Sequence, residues 1–304
     1  MIVESKVAGA PISWGVSELA SWGYRMAPDR VLAEMHEIGL HATELGPPGY
    51  LPADARARDG LLRRHGLRLV AGFLAVVLHD HAFPVRADIE RESASLAHSG
   101  AEVMVVAAAL PGNSYNATRS LGAAEWKRLA QALGEAEAIV SSRRMTLAFH
   151  PHAGTAVATA QDVQMLLETT QVSLCLDTGH LFLGGADPVA LAREAAGRIS
   201  HVHLKDVRAT VAARVRSHEL SYAEGVKEGL YTALGQGDLD IEGVHDRLRG
   251  AGYEGWFVLE QDTALTAEPE PHTGPAAAAR QSLEYFRRIA GAIKTTSAIK
   301  EDER

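Results

Sequence analysis

The chain has 304 residues, 46% hydrophobic and 22% charged, with 28 Gly and 12 Pro spread along its length; that composition excludes a collagen-like, coiled-coil or largely disordered protein and suits one large α/β domain. Thirty Lys and Arg against 38 Asp and Glu give a formal charge of −8, which offers no broad positive field, so neither nucleic acid nor an anionic membrane surface is expected as a partner. The one cysteine, Cys175, cannot close an intrachain disulfide and suits a reducing, cytoplasmic setting, while neither Met1–Lys6 nor any later window has the apolar run of a signal peptide or a membrane helix.

Short apolar runs of β type recur with helical stretches between them, which is the mark of parallel βα units. In chain order the predicted strands are Val7–Gly15, His41–Gly46, Arg68–Val77, Val103–Ala108, Met145–His150, Val172–Asp177, Ser200–Leu204 and Trp256–Glu260. The helical pattern begins at Pro28–Gly39, with Pro near the start, apolar Val31, Leu32, Met35 and Ile38, and Gly at the end. It returns at Asp88–His98, Ala124–Val140, Ala160–Glu168, Pro188–Ala196, Ile241–Gly250 and Ala277–Ile293. Eight such units in about 250 residues fit a (β/α)₈ TIM barrel, taken here as a single domain over residues 1–293 with a frayed polar tail at 294–304. Between the last two strands, Val207–Asp240 is too long for an ordinary connection and is read as a functional loop with a short helix over the barrel mouth.

Polar residues gather where the strand runs stop: Glu44, His150, His152, Asp177, His180, His203, Lys205, Asp206, Glu260 and Asp262. In a parallel barrel these positions form the C-terminal rim, where the active site is assembled. Side chains two apart on a strand face the same way, so Cys175 points with Asp177, His201 with His203 and Lys205, and Val258 with Glu260. An inward ring of His150, Asp177, His203 and Glu260 results. Two imidazoles and two carboxylates suit a divalent metal, Mn²⁺ or Co²⁺ first, with Zn²⁺, Fe²⁺ or Mg²⁺ as alternatives, better than Ca²⁺. Each residue also has an ordinary reading. His150 alone is more often a hydrogen-bonded core histidine, Asp177 before Thr-Gly is a natural helix cap, and Glu260 could pair with an arginine. Cys175 reads as a small buried side chain and Gly235-Gln236-Gly237 as a turn.

The phrases Ala10-Pro11-Ile12-Ser13-Trp14-Gly15, Phe149-His150-Pro151-His152-Ala153-Gly154-Thr155, Leu176-Asp177-Thr178-Gly179-His180, His201-Val202-His203-Leu204-Lys205-Asp206-Val207-Arg208, Gly235-Gln236-Gly237-Asp238 and Val258-Leu259-Glu260-Gln261-Asp262 resemble the myo-inosose dehydratases. Those enzymes belong to the xylose isomerase-like barrels, beside sugar-phosphate isomerases and ketose 3-epimerases, and the likeness runs from about Ala8 to Phe286. The resemblance implies a metal held by Asp177, His203 and Glu260, with His150 standing where many relatives have a glutamate. It implies that His180 contacts substrate or orients the site and that Lys205 and Asp206 belong to the rim.

A glutamate pair on opposite substrate faces is what an epimerase of this kind uses, so His150 breaks that symmetry. The implied reaction is dehydration of an inosose-like cyclic polyol ketone through an enolate. The alternatives are a metal-dependent ketose isomerase or 3-epimerase, and a non-catalytic ligand-binding barrel. Glu260, Glu44 and Lys205 are the candidate bases; Lys205 serves otherwise as a cation that steadies the enolate. His152, His180 and Asp206 are candidate substrate contacts, with His152 and His180 also candidate acids. Trp14 is either an apolar wall against the ring or barrel packing. The expected partner is a small polyol or sugar, and pairing into a homo-oligomer follows the habit of the superfamily.

Overall fold

The computed structural model describes residues 6–19, 22–112 and 115–302, with side chains as far as residue 291. The expectations about the first five residues and about the end and side chains of the 294–304 tail lie outside the described residues. The elements alternate as β1 (Lys6–Gly9), α1 (Pro28–Glu37), β2 (Ala42–Glu44), α2 (Ala55–Arg64), β3 (Arg68–Val76), α3 (Arg86–His98), β4 (Val103–Ala108), α4 (Ala123–Ser141), β5 (Thr146–Phe149), α5 (Ala160–Thr169), β6 (Leu174–Asp177), α6 (Thr178–Leu183), α7 (Pro188–Glu194) and β7 (Ile199–Leu204). An excursion follows, made of β8 (Asp206–Val207), α8 (Ala209–Arg216), α9 (Tyr222–Lys227) and β9 (Tyr231–Thr232), before α10 (Ile241–Gly250), β10 (Trp256–Leu259) and α11 (Pro275–Asp302).

Eight parallel strands close in the order β1-β10-β7-β6-β5-β4-β3-β2, and β8 and β9 form a separate antiparallel pair. Two apolar layers follow from the alternation of side chains along each strand. One set, including Ala8, Ala42, Val105, Ala148, Cys175 and Val258, fills the barrel. The other, including Leu147, Leu174, Leu176, Val202, Leu204 and Phe257, packs outward against helix faces such as Leu32, Met35, Leu129 and Leu248. One step further along the inward set come His150, Asp177 and Glu260, as the two-residue period predicts. No helix among the described residues is long and apolar enough to cross a membrane.

The structure departs from the sequence expectation in four places. The first strand stops at Gly9, and Pro11–Trp14 forms a 3₁₀ turn with the proline at its start. Helix α2 was not anticipated, because Ala-Arg-Ala-Arg-Asp-Gly-Leu-Leu-Arg-Arg carries only Leu61 and Leu62 as an apolar signal. Arg58 completes the buried face, its guanidinium satisfied by Ser99, Ser95 and the Pro52 carbonyl. The excursion holds two short helices and a strand pair rather than one helix, with a small core of its own around Trp22, Ala212, Tyr222, Val226, Leu230 and Tyr231.

The fourth departure concerns Trp14 and Asp206, neither of which lines the cavity at the barrel mouth. Trp14 is fully buried in the layer between barrel and helices, where its indole N–H donates to Glu34 Oε2 at 2.9 Å. It is packing rather than a wall of the site. Asp206 turns away from the rim and accepts hydrogen bonds from four backbone N–H groups, those of Val207 (2.9 Å), Gly235 (2.8 Å), Gly237 (2.9 Å) and Leu239 (3.1 Å). The Gly-Gln-Gly turn therefore wraps a carboxylate, and a Cβ on Gly237 would stand 2.3 Å from Asp206 Oδ1.

Replacing Asp206 with Ala removes the shared acceptor of four backbone N–H groups and is expected to cost about 2–4 kcal/mol of stability. Urea unfolding of D206A measures this, and a loss under about 0.5 kcal/mol would contradict the structural role.

Candidate active site

Four strand ends meet above the inner apolar layer. β6 ends on Asp177, β7 carries His203, and His150, Lys205 and Glu260 each stand just beyond β5, β7 and β10. Register brings them together: Asp177 is the lateral partner of His203, His203 is that of Val258, and the Glu260 N–H donates to the Leu204 carbonyl at 3.0 Å. Asp177 Oδ2 lies 3.4 Å from His150 Nε2, 3.6 Å from His203 Nδ1 and 3.4 Å from Lys205 Nζ. Glu260 Oε2 lies 3.3 Å from His203 Nδ1 and 3.1 Å from Lys205 Nζ. The ammonium also sits 2.9 Å from Asp262 Oδ1 and donates to His180 Nε2 at 3.1 Å. All of these side chains are buried.

The ordinary and the functional readings of Asp177 both hold. Its Oδ1 caps α6 by accepting the His180 N–H at 2.8 Å, and its Oδ2 faces the cluster. Glu44 reaches across from β2 and accepts from two rings with one oxygen, His201 Nε2 at 2.7 Å and His203 Nε2 at 3.0 Å. Asp262 is held on its other oxygen by the Tyr222 hydroxyl at 2.7 Å, and Tyr222 meets the Tyr231 hydroxyl at 3.0 Å.

Burial and charge separate the protonation states. Burial pushes His150 down to about 4 and, with mutual repulsion and the Lys205 charge, holds His152 and His180 well below the ordinary histidine value, so all three are neutral at pH 7. Burial works against charge on Lys205, but Asp177, Asp262 and Glu260 outweigh it and raise its pKa well above the usual value. Lys205 is thus held as a cation in the metal-free protein. Burial opposes ionisation of Asp177 and Glu44 too, yet Lys205 for the first, and His203 and His201 for the second, pull both below the usual carboxylate range. Burial opposes charge on His203 as well, but Glu260 and Glu44 flank it and raise its pKa well above the ordinary value in the metal-free protein; the proton on Nδ1 is the one that a metal there would displace. Glu260 is the exception among the acids: burial raises its pKa despite His203 and Lys205. Cys175 is pushed up to about 11 by burial and remains a thiol.

The donor set fits a divalent metal. Both ring nitrogens of His150, His203 Nδ1 and Asp177 Oδ2 are buried and complete no hydrogen bond. Ligand atoms of Asp177, His203 and Glu260 lie within 4.8 Å of one another, as do those of His150, Asp177 and His180. Mixed nitrogen and oxygen donors suit a first-row dication, and four acidic side chains, Glu44, Asp177, Glu260 and Asp262, outnumber the cations among them.

A cavity of about 370 Å³ opens onto this cluster. Glu44, His150, His152, His203, Lys205, Glu260 and Asp262 line its polar side, and Pro11, Ile12, Val16, Phe73 and Leu74 its apolar side. The His152 Nδ1–H donates to the Ala153 carbonyl at 2.7 Å, which leaves the lone pair on Nε2. His180 is absent from the wall; it stacks behind His152 at 3.7 Å between ring centroids and contacts Lys205, so its expected substrate contact becomes an indirect one. The wall also contains Glu18 and Tyr115, hydrogen-bonded to each other, which sequence reasoning missed. They come from loops 97 positions apart, and no local pattern joins them.

Residues 32–289 match the family described as xylose isomerase-like TIM barrel. An inosose dehydratase of Geobacillus kaustophilus is 32% identical over 301 residues, covering 93% of this chain and 94% of its own. Among solved structures, an L-ribulose 3-epimerase superposes with a TM-score of 0.69 at 17% identity, covering 97% of each chain. The IolI protein with a bound zinc atom gives 0.66 at 14% identity, covering 94% of this chain and 98% of its own.

Acid is expected to loosen the metal-free protein. His150, His152 and His180 bind protons less readily when folded than the 6.5 of an unfolded histidine, so the unfolded chain takes up protons first as pH falls. Their effect is absent above about pH 7 and grows downward from 6.5; the His150 share levels off near 4 at a loss of about 3 kcal/mol. Glu260, with its raised pKa, offsets part of this below the range where it protonates, whereas His203, raised, adds no slope below 6.5. Denaturant unfolding at about pH 7, 5.5 and 4.5 measures the trend, and a flat profile would show that these imidazoles are not buried neutral.

Proposed function

The chain belongs to the xylose isomerase-like TIM barrel family, and from that premise we propose that it is a metal-dependent carbon–oxygen lyase that dehydrates an inosose-like cyclic polyol ketone. The observation that carries the reading is the asymmetry of the cavity's acids. Glu260 has a raised pKa whereas those of Glu44 and Asp177 are lowered, and Glu44 is hydrogen-bonded to two rings and Asp262 to Tyr222 and Lys205. A site with one basic carboxylate removes a proton readily and has no matching partner to return one on the opposite face. The similarity to an inosose dehydratase at 32% identity over nearly the whole chain supports the same reaction.

Asp177, His203 and Glu260, with His150, are the residues that would hold the metal, which supplies Lewis acidity toward the substrate carbonyl and a neighbouring hydroxyl. Mn²⁺ or Co²⁺ suits this mixture of imidazole and carboxylate, and Zn²⁺ or Fe²⁺ is close behind. Glu260 accepts the proton from the carbon next to the carbonyl. The Lys205 ammonium, fixed within 3.4 Å of Asp177 and Glu260, steadies the negative charge that develops on the carbonyl oxygen. His152, which lines the cavity and keeps the lone pair on Nε2, accepts a hydrogen bond from a ring hydroxyl and orients the polyol. The β-hydroxyl leaves as water with the proton that Glu260 took, so a C–H and a C–O bond break, a C=C bond forms and the carboxylate is restored. Phe73, Leu74 and Ile12 cover the face of the ring and limit water access.

Protein loaded with Mn²⁺ or Co²⁺ is expected to convert 2-keto-myo-inositol to a product lighter by one water, read by mass spectrometry. Glu260→Gln and Lys205→Met should each lower kcat by about 10²–10⁴-fold. Solvent deuterium incorporated into an undehydrated epimer, with no loss of water, would instead establish the isomerase alternative and sink the lyase.

A further inference from the structure

Glu44 was one of three candidate bases, yet its hydrogen bonds give it a different task, and the argument rests on the metal reading above. We infer that Glu44 is a positioning residue that fixes the tautomer and plane of His203, so that Nδ1 of that ring faces Asp177 and Glu260 as a metal-binding lone pair. A carboxylate only accepts hydrogen bonds, so both rings that touch Glu44 Oε1 must donate to it. His203 therefore carries a proton on Nε2, 3.0 Å from that oxygen, and its opposite nitrogen is the end left for the cluster. That Nδ1 completes no hydrogen bond and lies 3.3 Å from Glu260 Oε2 and 3.6 Å from Asp177 Oδ2.

The arrangement has a second pin. His201, two residues back on the same strand and fully buried, points inward with His203 and donates to the same oxygen at 2.7 Å. The two rings meet edge to face at 5.2 Å between centroids. Glu44 is held from below by one ring and holds the other above it. A carboxylate buried at the end of β2, with Ala71 of β3 as its lateral partner, is costly to bury. The fixed orientation of one ligand ring is what that cost secures, since groups behind a metal-bound histidine set its tautomer and raise its affinity. One oxygen already shared by two N–H donors is also poorly placed to take a proton from carbon.

The test is calorimetric titration of the chelator-stripped protein with Mn²⁺ and Co²⁺ in the absence of substrate. Glu44→Gln, whose amide can present either a donor or an acceptor to each ring, is expected to weaken the Kd by about 10–100-fold. Glu44→Asp keeps the charge but is too short to reach both rings, so it should weaken binding as well, which separates orientation from simple loss of a negative field. It also serves where Glu44→Gln folds poorly. His201→Asn removes only the lower pin and should have the smaller effect. On Zn²⁺-loaded protein, long-range ¹H–¹⁵N correlations should place the His203 proton on Nε2. Unchanged metal affinity in both Glu44 variants, with turnover abolished, would make Glu44 a base and overturn the inference. Failure of the unaltered chain to bind any of these metals would overturn it together with the metal reading. Normal metal binding that depends on Glu44, with no dehydration of 2-keto-myo-inositol, would support the inference and remove only the assigned reaction.

Discussion

A lysine ammonium buried among three carboxylates is the interaction around which the mouth of this barrel is built. Lys205 Nζ is 2.9 Å from Asp262, 3.1 Å from Glu260 and 3.4 Å from Asp177, and a buried ammonium is tolerated only with such partners. The requirement ties together the ends of β6, β7 and β10, and it extends into the excursion. The ammonium lies over the Tyr231 ring, 5.4 Å from its centroid, while Tyr222 holds the far oxygen of Asp262. Both tyrosines belong to the small apolar core of the excursion. The cover of the site and its central cation thus form one packed unit. Gly179 is small for the same reason: a Cβ there would come within 2.7 Å of the Tyr231 ring and 2.8 Å of Lys205 Cβ.

The same pairing distributes the chemical roles. A lysine surrounded in this way keeps its proton and acts as a charge, so the proton-accepting task passes to a carboxylate. Of the carboxylates, Asp177 is pulled down by Lys205 and the neighbouring imidazoles, and Glu44 by the rings it binds; Glu260 is the one that burial leaves more basic. Four buried acids in one cluster would repel one another if all were equivalent. Distinct surroundings make them inequivalent, which is how one cluster could contain the proposed ligands, base and positioning group at once.

The two-residue period of the strands made the barrel and the ring of His150, Asp177, His203 and Glu260 legible in the sequence, because type and spacing together determine which face a strand residue occupies. The rule still holds one residue past a strand end, at His150 and Glu260, but lapses further on. Asp206 is adjacent to Lys205 and of the right chemistry, but it starts β8 and turns into the Gly235–Gly237 turn. Trp14 follows Pro11, whose fixed φ ends the strand early, and the 3₁₀ turn swings the indole to the outer layer. Helix α2 was hidden because its third core residue is an arginine, and polarity conceals a buried stem. Glu18 and Tyr115 meet only in three dimensions, from loops whose composition carries no period.

Asp177 shows why an ordinary reading and a functional one need not compete. Its carboxylate has two oxygens, and the helix that begins at the next residue uses one of them as its cap. That hydrogen bond, 2.8 Å from the His180 N–H, fixes the plane of the carboxylate. With the plane set, the second oxygen has one direction available, toward His150, His203 and Lys205. The start of α6 therefore directs the free oxygen of Asp177 at the cluster, much as the Glu44 hydrogen bond holds the ring of His203. A tight turn from strand to helix does the work of a positioning side chain and needs no additional residue.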